Sequence, residues 1–369
     1  MILHLVSEHN ATSDFLKNFE RIFPQGNVVM KFGRRDEYKK VEVTVNGEVK
    51  KYKNSHELSK EFDFSRVTIV VVHFLNYSKE RFLLKYISNK IPIVWWMYGG
   101  DLYTRLQLIG YEVFAHQTLP FVKEKSCGLA HRICHFLIGK RNIYVDKKII
   151  KRICAVIPCE QPDYKLACLL FGRNIDLVDI YPRGINNCSS YSEGCDICIG
   201  HSAALSCNHL YALDIIKKVD LGNSDIWLPL SYTINSEKYK DAVVTKFMQQ
   251  FGDRVHFIYE YQDIDTYLKN FLRYKIAIYP SWRQEALGNI FICFQLGIKV
   301  FLSIHNPCFS YYKEMGYLVY SLEDINSNKD LLPLTSSEKV YNRRLFYKIK
   351  EERDKVAPSN LVQYFSKYV

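Results

Sequence analysis

Short runs of branched apolar residues alternate with amphipathic segments of helix length along most of the chain. In the first half these runs cover residues 2–6, 28–32, 67–74, 91–98, 153–158 and 175–181. In the second half they cover residues 196–201, 225–230, 255–260, 275–280, 299–304 and 317–321. Runs of Val and Ile without polar alternation predict strands that are buried on both faces. The order therefore predicts a doubly wound α/β sheet in each half.

Other signals predict where the halves begin and end. Residues 182–194 are polar and rich in Gly, Ser and Asn, which predicts a linker. We expect an N-terminal Rossmann-like domain over residues 1–185 and a C-terminal one over residues 195–335. The charged segment 336–369 is expected to be helical and to pack back on the N-terminal domain. A hairpin is predicted around Asn46-Gly47, and a long helical segment over residues 102–138.

Composition excludes some classes of protein and favours others. With 48% hydrophobic and 24% charged residues the chain is a folded globular protein, and its net charge of +11 favours anionic partners. No uncharged run of 18 apolar residues and no secretory signal is found. Nucleic acid is not expected as a partner, because no known binding motif is present. The basic, aromatic segment 121–152 suits an anionic membrane surface, or equally a solvated basic face.

Eleven cysteines are present, and most are expected to be unpaired thiols. Cys195 and Cys198 form a single CxxC pair without a second pair or a histidine pair at zinc spacing. A structural role is therefore expected for them, and no metal site is predicted.

Candidate site residues follow the predicted strands, because ligands of open parallel sheets bind beyond the carboxyl ends of the strands. The first group is Gly99-Gly100-Asp101 with Tyr103. Asp101 is either a general base that deprotonates a sugar hydroxyl or the cap of a helix.

The second group comprises Gly200, His201, Ser202, Ser206 and Asn208. A helix start near Ser206 would attract a phosphate, with the Ser202 and Ser206 hydroxyls as further donors. An ordinary capped helix is the alternative reading of this pattern.

The third group comprises Arg283, Gln284, Glu285 and Gly288, at a helix predicted to begin near Glu285. Arg283 would meet a diphosphate, and Gln284 and Glu285 would bond sugar hydroxyls, while Gly288 would allow close approach. A surface loop with a charged helix start is the alternative. Tyr232, after a further predicted strand, would stack on a base or plug the core.

These pieces, in this order over residues 95–310, resemble glycosyltransferase family 56. The resemblance rests on Tyr98–Tyr103, Ile199–Ser202 with Ser206 and Asn208-His209, Pro229 with Tyr232, Arg283-Gln284, Gly288, Gln295–Gly297 and Asn306-Pro307. It implies a GT-B fold, in which two Rossmann-like domains face each other across a cleft. It also implies inverting transfer without a bound metal or other cofactor.

The donor implied by the resemblance is a dTDP-linked amino-deoxy sugar such as 4-acetamido-4,6-dideoxygalactose. The acceptor would be an undecaprenyl-diphosphate saccharide at the cytoplasmic face of the bacterial inner membrane. Because such enzymes hold the acceptor in the first half, the resemblance places Gly99, Gly100 and Tyr103 on the acceptor side. The product would enter a surface polysaccharide such as the enterobacterial common antigen. Capsule or O-antigen transfer with another nucleotide sugar, an epimerase or hydrolase, and a basic binding module remain alternatives. A retaining transferase is disfavoured, because Ile292 rather than Glu stands seven residues after Glu285.

Overall fold

The computed structural model of the protein describes residues 1–7, 13–32, 41–123, 146–180, 188–233 and 236–369. It divides into two compact units. Unit 1 contains Met1–Ile109, Cys127–Gly184 and Glu352–Val369, and unit 2 contains Gly110–Ser126 and Ile185–Glu351. The division near residue 184 falls within the polar stretch predicted as a linker. The inclusion of residues 110–126 in unit 2 was not predicted, because nothing in their composition distinguishes them.

Unit 1 is built on an eight-stranded sheet with the strand order β4-β3-β2-β1-β5-β6-β7-β8. The strands are β1 (Ile2–Ser7), β2 (Asn27–Phe32), β3 (Val41–Val45), β4 (Glu48–Tyr52), β5 (Ile69–His73), β6 (Ile93–Trp96), β7 (Ile153–Ile157) and β8 (Asp176–Leu177). The helices are α1 (Ser13–Ile22), α2 (Ser55–Glu61), α3 (Tyr77–Tyr86), α4 (Gly100–Gln107) and α6 (Gln161–Phe171), whereas α5 (Leu119–Lys123) belongs to unit 2. Neighbouring strands are parallel except in the β2-β3-β4 meander. The predicted hairpin around Asn46-Gly47 is confirmed as β3-β4.

Unit 2 is built on a six-stranded parallel sheet with the strand order β11-β10-β9-β12-β13-β14. The strands are β9 (Asp196–Ile199), β10 (Ile226–Pro229), β11 (Val255–Ile258), β12 (Tyr274–Tyr279), β13 (Lys299–Leu302) and β14 (Val319–Ser321). The helices are α5 (Leu119–Lys123), α7 (His209–Ile216), α8 (Glu237–Phe251), α9 (Ile264–Phe271), α10 (Leu287–Leu296), α11 (Pro307–Glu314) and the start of α12 (Ser336–Phe365). Each of the twelve apolar runs identified in the sequence overlaps one strand of the two sheets, so the prediction of strands at these runs is confirmed.

The segment from residue 102 onward differs from the prediction of one long helix. Helix α4 ends at Gln107, Gly110 follows with a φ of 95°, and the short helix α5 begins at Leu119. Residues 124–145, which carry most of the basic segment 121–152, lie outside the described residues. In the described part of the chain, no helix combines the length and the hydropathy that crossing a bilayer requires.

The last helix is divided between the units. Residues up to Glu351 group with unit 2, and those from Glu352 group with unit 1. Leu361 and Phe365 are buried in the core of unit 1, where the Phe365 ring lies 5.1 Å from that of Phe19 in an edge-on contact. Full burial of such a side chain stabilises a fold by about 1.5–3 kcal/mol. The end of the chain is therefore part of the core of unit 1.

Candidate active site

The carboxyl edge of the unit 2 sheet carries two adjoining loops. Strand β9 leads into residues 200–208, and strand β12 leads into residues 280–286. The two strands are hydrogen-bonded neighbours, and the connections from them run in opposite directions along the sheet. Ligands of open α/β sheets bind at such a reversal of strand order. The second and third groups predicted from the sequence therefore meet at the reversal point.

The Glu285 carboxylate joins these two loops. Its Oε1 atom accepts a hydrogen bond from Ser206 Oγ at 2.5 Å and further bonds from the Arg283 guanidinium. Its Oε2 atom accepts a hydrogen bond from Ser281 Oγ at 2.8 Å and lies 3.9 Å from His201 Nε2. The structure thus brings together four predicted site residues, and adds Ser281.

Arg283, Glu285 and His201 form what we call the charged cluster. The protonation states of Glu285 and His201 depend on burial and on the neighbouring groups. Burial raises the pKa of Glu285, but Arg283, His201 and the two serine hydroxyls outweigh it and lower the pKa below its ordinary value. Burial also lowers the pKa of His201, whereas the adjacent Cys207 and Glu285 raise it to about 9. One carboxylate therefore lies among a guanidinium and an imidazolium, which leaves a net positive charge suited to an oxyanion.

Gly200 turns the chain away from β9 in a conformation that requires glycine. Its φ is 76°, and a Cβ atom at this position would lie 2.4 Å from His209 Nε2. That nitrogen is buried and has no hydrogen-bond partner among the described residues. Burial, then the charge of His201, lowers the pKa of His209 to about 3, so its imidazole is neutral. A buried polar atom without a partner beside a turn indicates a place for a ligand.

The start of α7 differs from the sequence prediction. The helix begins at His209, and its first N–H donates to Tyr239 Oη at 2.8 Å. Asn208 has a φ of 48°, and its side chain accepts hydrogen bonds from Ala115 N and Thr118 Oγ1. Asn208 thus anchors residues 113–118 to unit 2, and protein groups cap the helix that was expected to bind phosphate.

The Ser202 hydroxyl is also engaged within its own loop. It lies 3.4 Å from Cys207 Sγ and accepts a 3.4 Å hydrogen bond from Ala204 N. Ser202 is buried, whereas Ser206 reaches the carboxylate of Glu285. Of the two serines proposed as phosphate donors, only Ser206 contacts the charged cluster directly.

Helix α10 offers the open start that α7 lacks. It begins at Leu287 rather than near Glu285, after Ala286 with a φ of 57°, and no side chain of the described residues caps it. A Cβ atom at Gly288 would meet nothing within 4 Å. Uncapped N–H groups at a helix start attract anions. Phosphate binding at a helix start, which the sequence predicted for α7, therefore suits α10 instead.

The loop leading into α10 holds two further buried polar atoms. Gln284 Oε1 and Trp282 Nε1 have no hydrogen-bond partner among the described residues. The Trp282 ring packs on His305 with 4.0 Å between the centroids, and Asn306 Nδ2 donates to Arg283 O at 2.9 Å. Native structures leave few such atoms unpaired. Gln284 is thus positioned to accept a hydrogen bond from a hydroxyl group.

A cavity of about 260 Å³ opens beside His201. It is lined chiefly by aromatic and amide side chains, among them Tyr232, Tyr261, Tyr267, Asn270 and Asn289. Tyr267 Oη donates to Asn289 Oδ1 at 2.7 Å, and the Tyr232 ring lies 6.2 Å from the His201 ring. Aromatic walls with a few amides suit a planar heterocycle. Tyr232 therefore lines a cavity next to the charged cluster.

The first predicted group contains a carboxylate that is buried in unit 1. Asp101 is 2% exposed; its Oδ2 accepts hydrogen bonds from Trp95 Nε1 at 2.7 Å and Leu75 N at 2.9 Å, and its Oδ1 accepts one from Tyr98 N at 3.0 Å. Both carboxylate oxygens are therefore occupied by the protein. Gly99 is the N-cap of α4 and Asp101 lies inside the helix, so the alternative prediction that Asp101 caps the helix is wrong, whereas its role as a general base stays a prediction.

The remaining acceptor-side residues differ in exposure. Gly99 is buried and turns the chain into α4 with a φ of 82°, while Gly100 begins the helix and is half-buried. Tyr103 is fully buried, and its hydroxyl donates to Asp163 Oδ1 at 3.0 Å. Tyr103 therefore packs inside unit 1, with its hydroxyl directed at Asp163 rather than at an acceptor.

Among the residues that the structure describes, one set of side chains could hold a metal ion. Ligand atoms of His201, Cys207 and Glu285 lie within 4.8 Å of one another. The guanidinium of Arg283 already contacts Glu285, so the carboxylate is neutralised by a protein cation. This cluster suits an anionic group better than a second cation.

Sequence reasoning missed several residues that build this site. Ser281 directly follows the apolar run 275–280 that predicts a strand, and this position was the signal that could have identified it. Tyr239 caps α7 from α8, and Cys207 lies against His201 with an Sγ–Nδ1 distance of 3.4 Å. Their contacts depend on packing between elements, which the local sequence does not encode.

Several solved structures share this arrangement of strands and helices. OtsA in its apo form aligns with a TM-score of 0.60 at 10% identity, covering 100% of this chain and 99% of that one. Sucrose-phosphate synthase from Thermosynechococcus elongatus aligns with a TM-score of 0.60 at 13% identity, covering 100% and 98%. Anabaena HepE in complex with UDP and glucose aligns with a TM-score of 0.59 at 9% identity, covering 100% of both chains. The fold is therefore GT-B.

The fold and a family match together define the protein as a glycosyltransferase. The model of glycosyl transferase group 56, described as 4-alpha-L-fucosyltransferase, matches residues 182–330. The resemblance to family 56 is thus confirmed over that part of the chain, which contains both loops of the charged cluster. No curated protein matches the chain by sequence.

Proposed function

We propose that the protein transfers an amino-deoxy sugar from a nucleoside diphosphate to a lipid-linked saccharide. The observation that carries this proposal is the combination of Arg283 with the uncapped start of α10 beside an aromatic cavity. Arg283 and the α10 amides bind the diphosphate, and the cavity around Tyr232 takes the base. Gln284 Oε1 accepts a hydrogen bond from a sugar hydroxyl.

In the proposed mechanism the acceptor oxygen attacks the anomeric carbon directly and inverts its configuration. Arg283 and the helix start stabilise the charge that develops on the leaving diphosphate, and such preorganised donors commonly lower a barrier by several kcal/mol. No metal is needed for this step. Ile292 rather than Glu stands seven residues after Glu285, which disfavours a retaining mechanism.

The donor and acceptor are assigned by resemblance to the family. The donor is dTDP-4-acetamido-4,6-dideoxygalactose, or a related deoxy sugar, and the acceptor is an undecaprenyl-diphosphate saccharide of surface polysaccharide synthesis. The protein acts at the cytoplasmic face of the inner membrane as a peripheral protein. Its net charge of +11 supports attraction to an anionic surface.

Thermal-shift titration with dTDP, UDP and GDP tests the donor site and its base preference together. We expect dTDP to raise Tm most, and we expect Arg283→Gln to reduce that shift strongly. Arg344→Gln, an exposed arginine on α12, is the matched control and should leave the shift unchanged. Equal shifts for wild type and Arg283→Gln would remove Arg283 from the donor site.

A transfer assay then tests the reaction. We expect product from the dTDP sugar and an undecaprenyl-diphosphate disaccharide, with the inverted anomer by NMR and unchanged activity in EDTA. Conversion of the donor without any acceptor would instead identify an epimerase or a hydrolase.

A further inference from the structure

Two side-chain amides on the wall of the aromatic cavity are hydrogen-bonded to each other, and we call them the amide pair. Gln262 lies in the loop between β11 and α9, and Asn270 lies near the end of α9. Asn270 Nδ2 donates to Gln262 Oε1 at 2.8 Å, and both residues line the cavity of about 260 Å³ beside His201. Within the part of the chain that the structure describes, this is the one hydrogen bond of either side-chain amide. Each amide therefore keeps one polar atom for a ligand.

The amide pair presents one donor and one acceptor whichever way it is oriented. In the observed orientation the remaining atoms are Gln262 Nε2, which donates, and Asn270 Oδ1, which accepts. If both amides are turned over together, the donor is on Asn270 and the acceptor is on Gln262. Two amides bonded to each other thus always leave one group of each kind side by side.

Helix α9 holds Asn270 on the wall of the cavity. The N-cap residue Asp263 accepts hydrogen bonds from two backbone N–H groups of the first turn at 3.1 Å each, which fixes the position directly after Gln262. Tyr267, Asn270 and Phe271 are spaced three and four residues apart on one face of the helix, and all three line the cavity. The helix and its cap therefore position the amide pair without a ligand.

Other residues of the same cavity connect it to the groups that we assign to the diphosphate. His201 belongs to the charged cluster, and Asn289 lies in the first turn of α10. Tyr267 Oη donates to Asn289 Oδ1 at 2.7 Å, which leaves Asn289 Nδ2 as a donor. A nucleotide whose diphosphate binds Arg283 and the start of α10 therefore extends its base into the cavity that the amide pair lines.

A pyrimidine with an imide edge matches the pattern of the amide pair. Thymine and uracil carry a ring N–H group between two carbonyl oxygens, so a donor lies directly beside an acceptor. One amide accepts from the ring N–H group while the other donates to the adjoining carbonyl oxygen. Tyr232 and Tyr261 are exposed and line the same cavity, so their rings are available to stack on the face of the base.

We infer that Gln262 and Asn270 bind the hydrogen-bonding edge of the thymine base of the donor, which rests on the proposed function. Asn270 Oδ1 accepts a hydrogen bond from the N3–H group, and Gln262 Nε2 donates to the adjoining carbonyl oxygen. The base is thus held by its edge as well as by stacking between rings. All the groups that take part belong to unit 2.

Asn270→Leu tests the inference, because it removes both polar atoms of one amide and keeps nearly the same volume. In calorimetric titration we expect about tenfold weaker dTDP binding than in wild type, as for the loss of a hydrogen bond in a partly buried site. Pyrophosphate has no base and should bind both proteins equally, which also shows that the variant is folded. Asn223→Leu, at an exposed turn of the same unit, is the matched control and should keep the wild-type affinity for dTDP.

A modified nucleotide separates binding of the edge from stacking. N3-methyl-dTDP keeps the ring and both carbonyl oxygens but lacks the ring N–H group. It should bind wild type about tenfold more weakly than dTDP, whereas Asn270→Leu should bind the two nucleotides equally, because the acceptor of that N–H group is already missing.

If Asn270→Leu does not fold, Gln262→Met in the adjacent loop replaces it. We expect this variant to bind dTDP about tenfold more weakly and pyrophosphate with unchanged affinity, since it removes the donor to the carbonyl oxygen. Gln249→Met, on the exposed surface of α8, is its control.

Wild-type affinity for dTDP in Asn270→Leu would overturn the inference. The same preference for dTDP over N3-methyl-dTDP in both proteins would also overturn it, because the ring N–H group would then be bound elsewhere. Failure of the wild type to bind dTDP at all would instead overturn the proposed function.

Discussion

The Arg283 guanidinium is hydrogen-bonded to the Glu285 carboxylate two residues away, in the loop that leads into α10. The same carboxylate is held by Ser206 and Ser281 from two different loops. The Glu285 carboxylate therefore already forms an ion pair with the arginine that we assign to the donor diphosphate. A bound diphosphate has to share this arginine with Glu285 or replace it.

Glu285→Gln should lower the Tm of the free protein, because removing one partner of a buried ion pair leaves the other charge uncompensated. It should also increase the stabilisation by dTDP, since Arg283 is then fully available and the repulsion between carboxylate and diphosphate is gone. We expect dTDP affinity to rise by roughly threefold to tenfold, as expected for a nearby charge at an intermediate dielectric. Calorimetric titration measures this affinity.

Glu237→Gln is the control for this experiment, because Glu237 forms an exposed ion pair with Lys240 and should change neither quantity. Weaker dTDP binding by Glu285→Gln would show that the carboxylate holds the donor itself rather than competing for Arg283.

Alanine at Gly288 and at Gly200 should have opposite effects on stability. Gly288 lies in the first turn of α10 with open space where a Cβ atom would lie, so Gly288→Ala should stabilise the protein by about 0.5–1 kcal/mol. The added methyl group reaches the space that we assign to the diphosphate, so dTDP affinity should fall. Denaturant unfolding and the same calorimetric titration check both effects.

Gly200→Ala should destabilise unit 2, because its φ is 76° and the new Cβ would lie 2.4 Å from His209 Nε2. The expected loss is about 1–3 kcal/mol, as for other strained backbone positions. Equal stability of the two alanine variants would contradict the assigned backbone geometry.

Asp101→Asn should lower the free energy of unfolding by about 1–3 kcal/mol, because an amide in either orientation turns an N–H₂ group toward an N–H donor. Trp95, Leu75 and Tyr98 all donate to this carboxylate. Denaturant unfolding measures the loss, with the exposed Glu48→Gln as control. Unchanged stability together with abolished turnover would restore Asp101 as the general base.

The stability of unit 2 should decrease as the pH rises above neutrality. The pKa of His201 is raised from 6.5 to about 9, so its contribution is complete below pH 6.5 and is lost as the pH rises through about 9. The contribution of Glu285 to stability depends on pH in the opposite direction. Its pKa is lowered from 4.5, so this contribution is lost only when the pH falls below 4.5. Tm measured across the alkaline range should fall less steeply in His201→Gln than in wild type. Parallel curves would exclude His201 as the titrating group.

The sequence alone determined the alternation of strands and helices, because runs of Val and Ile can be buried on both faces only within a covered parallel sheet. It also located the loops of unit 2 that carry Gly200, Ser206, Arg283 and Glu285, since ligands bind beyond the carboxyl ends of such strands. These are local patterns whose physical meaning does not depend on distant residues.

Only the tertiary structure decided which helix start is open. Tyr239 on α8 caps α7, and no side chain of the described residues caps α10, although both starts read alike in sequence. It likewise decided that Asp101 is buried among three donors and that His4 and His73 meet across 69 positions of sequence. Hydrogen bonds between distant segments depend on packing in three dimensions, and for that reason the order of residues did not reveal them.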